Sequence, residues 1–148
     1  MNIVKLQKIS NLLYRKGLVV FAKCIQKYIR VFYSCYLPYT CILGENTRLY
    51  HGGLGVTIHE NSVIGKNCHI YTCVTLGGTN NRYTQIVVGN NVMIGTGAKI
   101  IGSVQIGDNV VIAANSVVLE NIPKDCLVAG VPSRIKKMGI DIYEYLPN

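Results

Sequence analysis

Counting in steps of six from Ile58 reaches Ile64, Ile70, Leu76, Arg82, Val88, Ile94, Ile100, Ile106, Ile112 and Val118, and ten of these eleven positions are aliphatic. A strand alternates every two residues and a helix repeats every 3.6, so neither accounts for a fixed period of six. Glycine follows at Gly65, Gly77, Gly89, Gly95 and Gly107. Four places after the aliphatic residue comes a small or β-branched one: Ser62, Cys68, Val74, Val92, Ala98, Val104, Val110 or Ser116. Hexapeptide periodicity marks a solenoid of the parallel β-helix kind. Each hexapeptide supplies one short strand and one turn, and three close a triangular coil. The aliphatic residue points into the prism, the small residue shares its narrow interior, and stacked coils satisfy each other's backbone.

Two places break the rhythm. Leu43 and Leu49 carry the register upstream, but the step from Leu49 to Ile58 is nine residues, so three extra residues bulge around His51-Gly52-Gly53-Leu54-Gly55. The second is Arg82, inside the polar stretch Gly77-Gly78-Thr79-Asn80-Asn81-Arg82-Tyr83-Thr84-Gln85. Its glycine and asparagine content predicts an exposed loop. Loops ejected from a solenoid commonly serve a binding face, and a neutral insertion is the plain alternative.

Upstream of the repeat, Leu18, Phe21, Ala22, Ile25, Tyr28, Ile29, Phe32, Tyr33 and Tyr36 recur at helical spacing, with Lys23, Gln26, Lys27 and Arg30 on the other face. A weaker helical pattern covers 3–15 and stops at Gly17. The expected division is a basic amphipathic helical segment over 1–36, a β-helix over 37–135 and a tail over 136–148. Residues 1–44 hold seven basic side chains and no acidic one, whereas the remainder is close to neutral. A chain basic at one end only is not patterned as a nucleic-acid binder. The helix suits docking on the solenoid or a neighbouring subunit, and its charge also suits peripheral contact with anionic lipid.

With 49% hydrophobic and 15% charged residues among 148, the composition excludes a disordered chain. No apolar run approaches a membrane span, and no secretory signal is recognisable, so the expected location is cytoplasmic. The six cysteines form no CxxC pair and read as buried thiols in a reducing compartment. No metal is expected.

The segments Leu49-Tyr50-His51-Gly52-Gly53-Leu54-Gly55-Val56-Thr57-Ile58, Val74-Thr75-Leu76-Gly77-Gly78-Thr79, Ile94-Gly95-Thr96-Gly97-Ala98-Lys99-Ile100 and Ala129-Gly130-Val131-Pro132-Ser133-Arg134-Ile135 resemble the hexapeptide-repeat acyltransferases. The likeness is to serine acetyltransferases and the short O-acetyltransferases of polysaccharide synthesis, and it covers about residues 36–137. It implies a mainly β chain built as a left-handed parallel β-helix, an exception to the right-handed rule for parallel crossovers. It also implies a homotrimer with sites between subunits, acetyl-CoA as co-substrate, and a small-molecule or glycan hydroxyl as acceptor.

The resemblance places the general base at His51. An acceptor alcohol is a weak nucleophile toward a thioester until a base of near-neutral pKa takes its proton, and imidazole suits that task. His59, outward-facing at a coil corner, is the second candidate base. His69 reads as an exposed solenoid residue without special company. Backbone N–H groups of Gly77 and Gly78 are candidates for the oxyanion. Small residues at Gly97, Ala98, Ala113 and Ala114 would admit the pantetheine arm, and Arg134, Lys136 and Lys137 its phosphates. Tyr50, Glu60 and Arg82 are candidate acceptor contacts. Tyr50 replaces the family aspartate before the histidine, Tyr36 replaces the aspartate of the usual dyad, and Arg82-Tyr83 stands where the family has an Arg-His pair. Glu60 or a main-chain carbonyl would then have to orient the imidazole. Cys73 is a lesser candidate nucleophile. The reading from another class is a non-catalytic β-helix serving assembly. A β-helix carbonic anhydrase does not fit, because His51, His59 and His69 have the wrong spacing for zinc.

Overall fold

The structure, a computed structural model, describes residues 2–79 and 83–146. The repeat folds as a left-handed parallel β-helix with three faces. One face stacks Ile42–Leu43, Val63–Ile64, Val87–Val88 and Gln105–Ile106. A second stacks Arg48–Leu49, His69–Ile70, Met93–Ile94, Val111–Ile112 and Cys126–Ala129. The third stacks Thr57–Ile58, Thr75–Gly77, Lys99–Ile101 and Val117–Val118.

The register explains how the sixfold count survives its interruptions. Met93 lies over Val111 and Lys99 over Val117, in each case an offset of three hexapeptides. Val63 lies over Val87, an offset of four hexapeptides, because that coil ejects the loop after Gly77. That coil is therefore longer by one whole hexapeptide, and the sixfold count is preserved across it. Arg48 lies over His69, an offset of three and a half hexapeptides, because a tight turn at Tyr50–Gly53 takes up the extra half. Ile58, Ile64, Ile70, Leu76, Ile94, Ile100 and Ile112 are buried in one continuous column, and Val74, Val92, Ala98 and Val110 fill the space between them.

Two helices precede the prism: α1 (Ile3–Arg15) and α2 (Val19–Tyr33). Asn2 caps α1 by accepting the Val4 N–H at 2.9 Å. Ile3, Val4 and Leu6 of α1 and Ile29 of α2 join the solenoid core. Buried Gln7 donates to the carbonyls of Pro38 (3.1 Å) and Cys41 (2.8 Å), and Ser10 donates to Ala22 (2.8 Å). Among the described residues no helix is long and apolar enough to cross a membrane.

The far end departs from the expected tail. Arg134–Met138 is a strand antiparallel to Cys126–Ala129, so it runs across the boundary drawn at 135. Ile140 and Ile142 then fold back onto Val111 in a second small core. Gly130 and Pro132 end the hexapeptide rhythm without ending the sheet, since a reversed strand satisfies the last coil's edge as well as a parallel one. The cysteines do not all share the buried environment expected of them. Cys35, Cys41, Cys68 and Cys126 are buried thiols, whereas Cys24 and Cys73 are exposed.

Candidate active site

The inserted half-hexapeptide shapes the site. A regular coil takes five residues from Ile70 to Thr75, but the stretch from Leu49 to Thr57 must fit eight over the same edge, and the excess folds into the turn Tyr50–Gly53. His51 adopts φ 51°, ψ 40° there and Gly52 φ 66°. A left-handed histidine is uncommon and costs roughly 1 kcal/mol or more, so the turn holds this side chain outward against a local preference. The ring is exposed at a groove lined by Asn2, Ile3, Tyr33, Arg48, Leu49, Tyr50 and Gly52.

Below it, the ladder sets Tyr50, Tyr71, Gly95 and Ala113 on successive coils, each one residue past the paired strands of the second face. Coils stack about 4.8 Å apart, and farther along the same edge lie buried Gly95, half-buried Ala113 and exposed Ala114. Gly95 has no room for a side chain, because a methyl there would lie 2.6 Å from the Ala114 nitrogen.

Tyr50 does not project freely. Its ring stacks on Tyr71 with centroids 4.5 Å apart and planes 6° from parallel, and its hydroxyl is 2.8 Å from Nδ1 of His69. His69 therefore has company, contrary to the expectation. Burial, followed by the charge of Arg48, pushes its pKa below the ordinary imidazole value. Positions 50, 69 and 71 become neighbours only through the longer offset of that coil.

His59 stands at a different corner. Its Nδ1 accepts the Asn61 backbone N–H at 3.2 Å, which leaves the proton on Nε2. A methyl on Gly78 would fall 2.9 Å from that Nε2, so the ring rests directly on the Gly78 backbone. His59 and Gly78 are thus neighbours. Thr84 Oγ1, which accepts the Thr79 N–H at 3.3 Å, closes the base of the loop beside them. Gly77 ends its strand against the Ile101 side chain.

Other candidates fall elsewhere. Ala98 is fully buried inside the prism, because it occupies the inward small-residue position, and its methyl cannot line an outer groove. Gly97, at φ 75°, is packed against the Asn115 side chain, so the solenoid corner itself requires it. Glu60 is exposed and lines a groove with Tyr14, Thr40 and Tyr83 rather than the one at His51; among the described residues its carboxylate makes no bond to that imidazole. Arg134, Lys136 and Lys137 are exposed on the antiparallel terminal strand. Arg134 donates to the Ser133 carbonyl at 2.9 Å. Arg82 lies outside the described residues. No group of three or more histidine, cysteine or acidic side chains is placed to hold a metal among the described residues.

Fold and repeat define a class: over residues 85–120 the chain matches the model described as "Bacterial transferase hexapeptide (six repeats)". Within that class the chain is similar to serine acetyltransferases. The enzyme of that name from Synechococcus elongatus is 38% identical over 130 residues, covering 86% of this chain and 53% of the relative. The Brucella abortus serine acetyltransferase solved with coenzyme A superimposes with a TM-score of 0.85 at 34% identity, over 91% of this chain and 54% of that one. A soybean serine acetyltransferase complexed with serine gives 0.83 at 30% identity, over 90% and 55%. The chain thus spans a little over half the length of these relatives.

Proposed function

We propose that this chain is an acetyl-CoA-dependent O-acetyltransferase in which His51 is the general base. The observation that carries the reading is the inserted turn, which sets an exposed imidazole at the head of a coil edge ending in Gly95, Ala113 and Ala114. The thioester arm of acetyl-CoA lies along that edge. His51 takes the proton of the acceptor hydroxyl as its oxygen attacks the thioester carbonyl. The tetrahedral intermediate collapses, the C–S bond breaks, and the CoA thiolate leaves with the proton returned by the imidazolium. The chain works as a homotrimer, in which a neighbouring subunit closes the groove.

The relatives support L-serine as the acceptor. The aromatic wall of Tyr33 and Tyr50 suits the face of a sugar ring equally, so acetyl transfer to serine and to sugar hydroxyls is to be assayed side by side. With the accepting alcohol supplied, thiol release from acetyl-CoA should fall by roughly a hundredfold to ten-thousandfold in His51→Ala. Full turnover in that variant would remove His51 from the mechanism. His59→Ala, measured alongside, shows whether the ring resting on Gly78 acts on the reaction or only holds the loop.

A further inference from the structure

Helix α2 is apolar on two faces, and the structure uses one. Ala22 and Ile29 are buried, with Ile25, Gln26 and Tyr33 half-covered on the same side. At 100° per residue the opposite side carries Val20, Val31, Tyr28, Phe21 and Phe32 within about a third of the circumference. Val20 is 71% exposed, Phe21 61%, Val31 72% and Phe32 69%. Side chains of that size at that exposure lose about 1.5–3 kcal/mol each relative to burial. Along one margin of the stripe run Lys23, Lys27 and Arg30, all exposed. Among the described residues none of the three has a carboxylate partner. Arg30 is held 5.5 Å from the Tyr36 ring, which fixes its head without neutralising it.

We infer that the exposed side of α2 lies on an anionic lipid surface, with Phe21 and Phe32 entering the headgroup boundary and Lys23, Lys27 and Arg30 meeting lipid phosphates. Charge decides between this occupant and a second copy of the chain. Pairing two copies antiparallel through the stripe would bring two basic margins together, and residues 1–44 hold no acidic side chain to offset them. An anionic surface supplies that offset along the whole helix. The helix is too short to span, which restricts it to lying in the plane.

The test is co-sedimentation of the full chain with phosphatidylcholine vesicles and with vesicles also containing phosphatidylglycerol. Binding to the anionic vesicles only, weakened by added salt, is expected. Lys23→Gln with Lys27→Gln should weaken that binding roughly thirtyfold, at about one lipid-surface charge contact per lysine. Phe21→Ser with Phe32→Ser should abolish it, and unchanged thermal unfolding of both variants shows that the fold is retained. Equal binding to both vesicle types, or none to either, overturns the proposal. So does a solution mass by light scattering that drops in the Phe21→Ser, Phe32→Ser variant, since another copy would then cover the stripe. None of these readouts depends on acetyl transfer, so the catalytic reading and this one fail separately.

Discussion

At the scale of single residues, the placement of three histidines separates roles that their sequence contexts leave close together. His51 is displayed, His59 is seated on a glycine backbone, and His69 is tied to a tyrosine hydroxyl. His69 carries a pH dependence whose sign follows from its lowered pKa. The folded chain holds this ring neutral more firmly than the unfolded chain does. Its contribution to stability is therefore complete above the unfolded value of about 6.5 and drains away as pH falls through the lower folded value. The melting temperature should decline with acidification over that window, and less steeply in His69→Gln. An identical slope in the two proteins would show that the Tyr50–His69 contact does not matter to folding.

At the scale of elements, the corner between the first two faces is built by one repeated device. Asn46, Asn67, Asn91, Asn109 and Asp125 occupy it on successive coils, all at φ between 54° and 58°. Their side chains form a ladder, with Asn67 donating to Asn91 at 3.1 Å, Asn91 to Asn109 at 3.0 Å and Asn109 to Asp125 at 2.8 Å. Asparagine tolerates the left-handed corner and still has a donor and an acceptor to pass on. The glycine two places before each asparagine has no such freedom to vary, because a methyl on Gly65 would strike the backbone of Gly89 in the next coil. The sequence displays this device as Gly-x-Asn at 44–46, 65–67, 89–91 and 107–109, a signal hidden behind the stronger aliphatic one. Asn91→Ala loses two ladder bonds and strains the corner, a cost of about 2–4 kcal/mol. Asn91→Gly should recover only the backbone part. Urea unfolding of the two variants measures the difference.

At the scale of the whole molecule, the prism sorts the six thiols. Burial pushes Cys35 and Cys41 up to about 12 and raises Cys68 and Cys126. Cys24 on α2 and Cys73 at an outer corner are exposed. Brief maleimide treatment of the native chain, read by mass spectrometry, should therefore modify two cysteines, and all six once the chain is unfolded. A third fast-reacting thiol would mean that the coils open more readily than their packing implies.

The period of six was sufficient for the prism, because inward side chains recurring at a fixed step leave a closed coil as the only shape that buries them all. Local spacing also marked the bulge at His51 and both helices, since each depends on near neighbours in the chain. What no local pattern contained is which coil lies over which. The unequal offsets between stacked strands come from insertions whose course only the folded backbone reveals, and they decide that Tyr50 meets His69 and Tyr71. The inward turn of Ala98, the reversal of Arg134–Met138 onto the last coil, and the uncovered side of α2 have the same origin. Each is set by what the stack has left open for an edge or a face to pack against, and that quantity exists only in three dimensions.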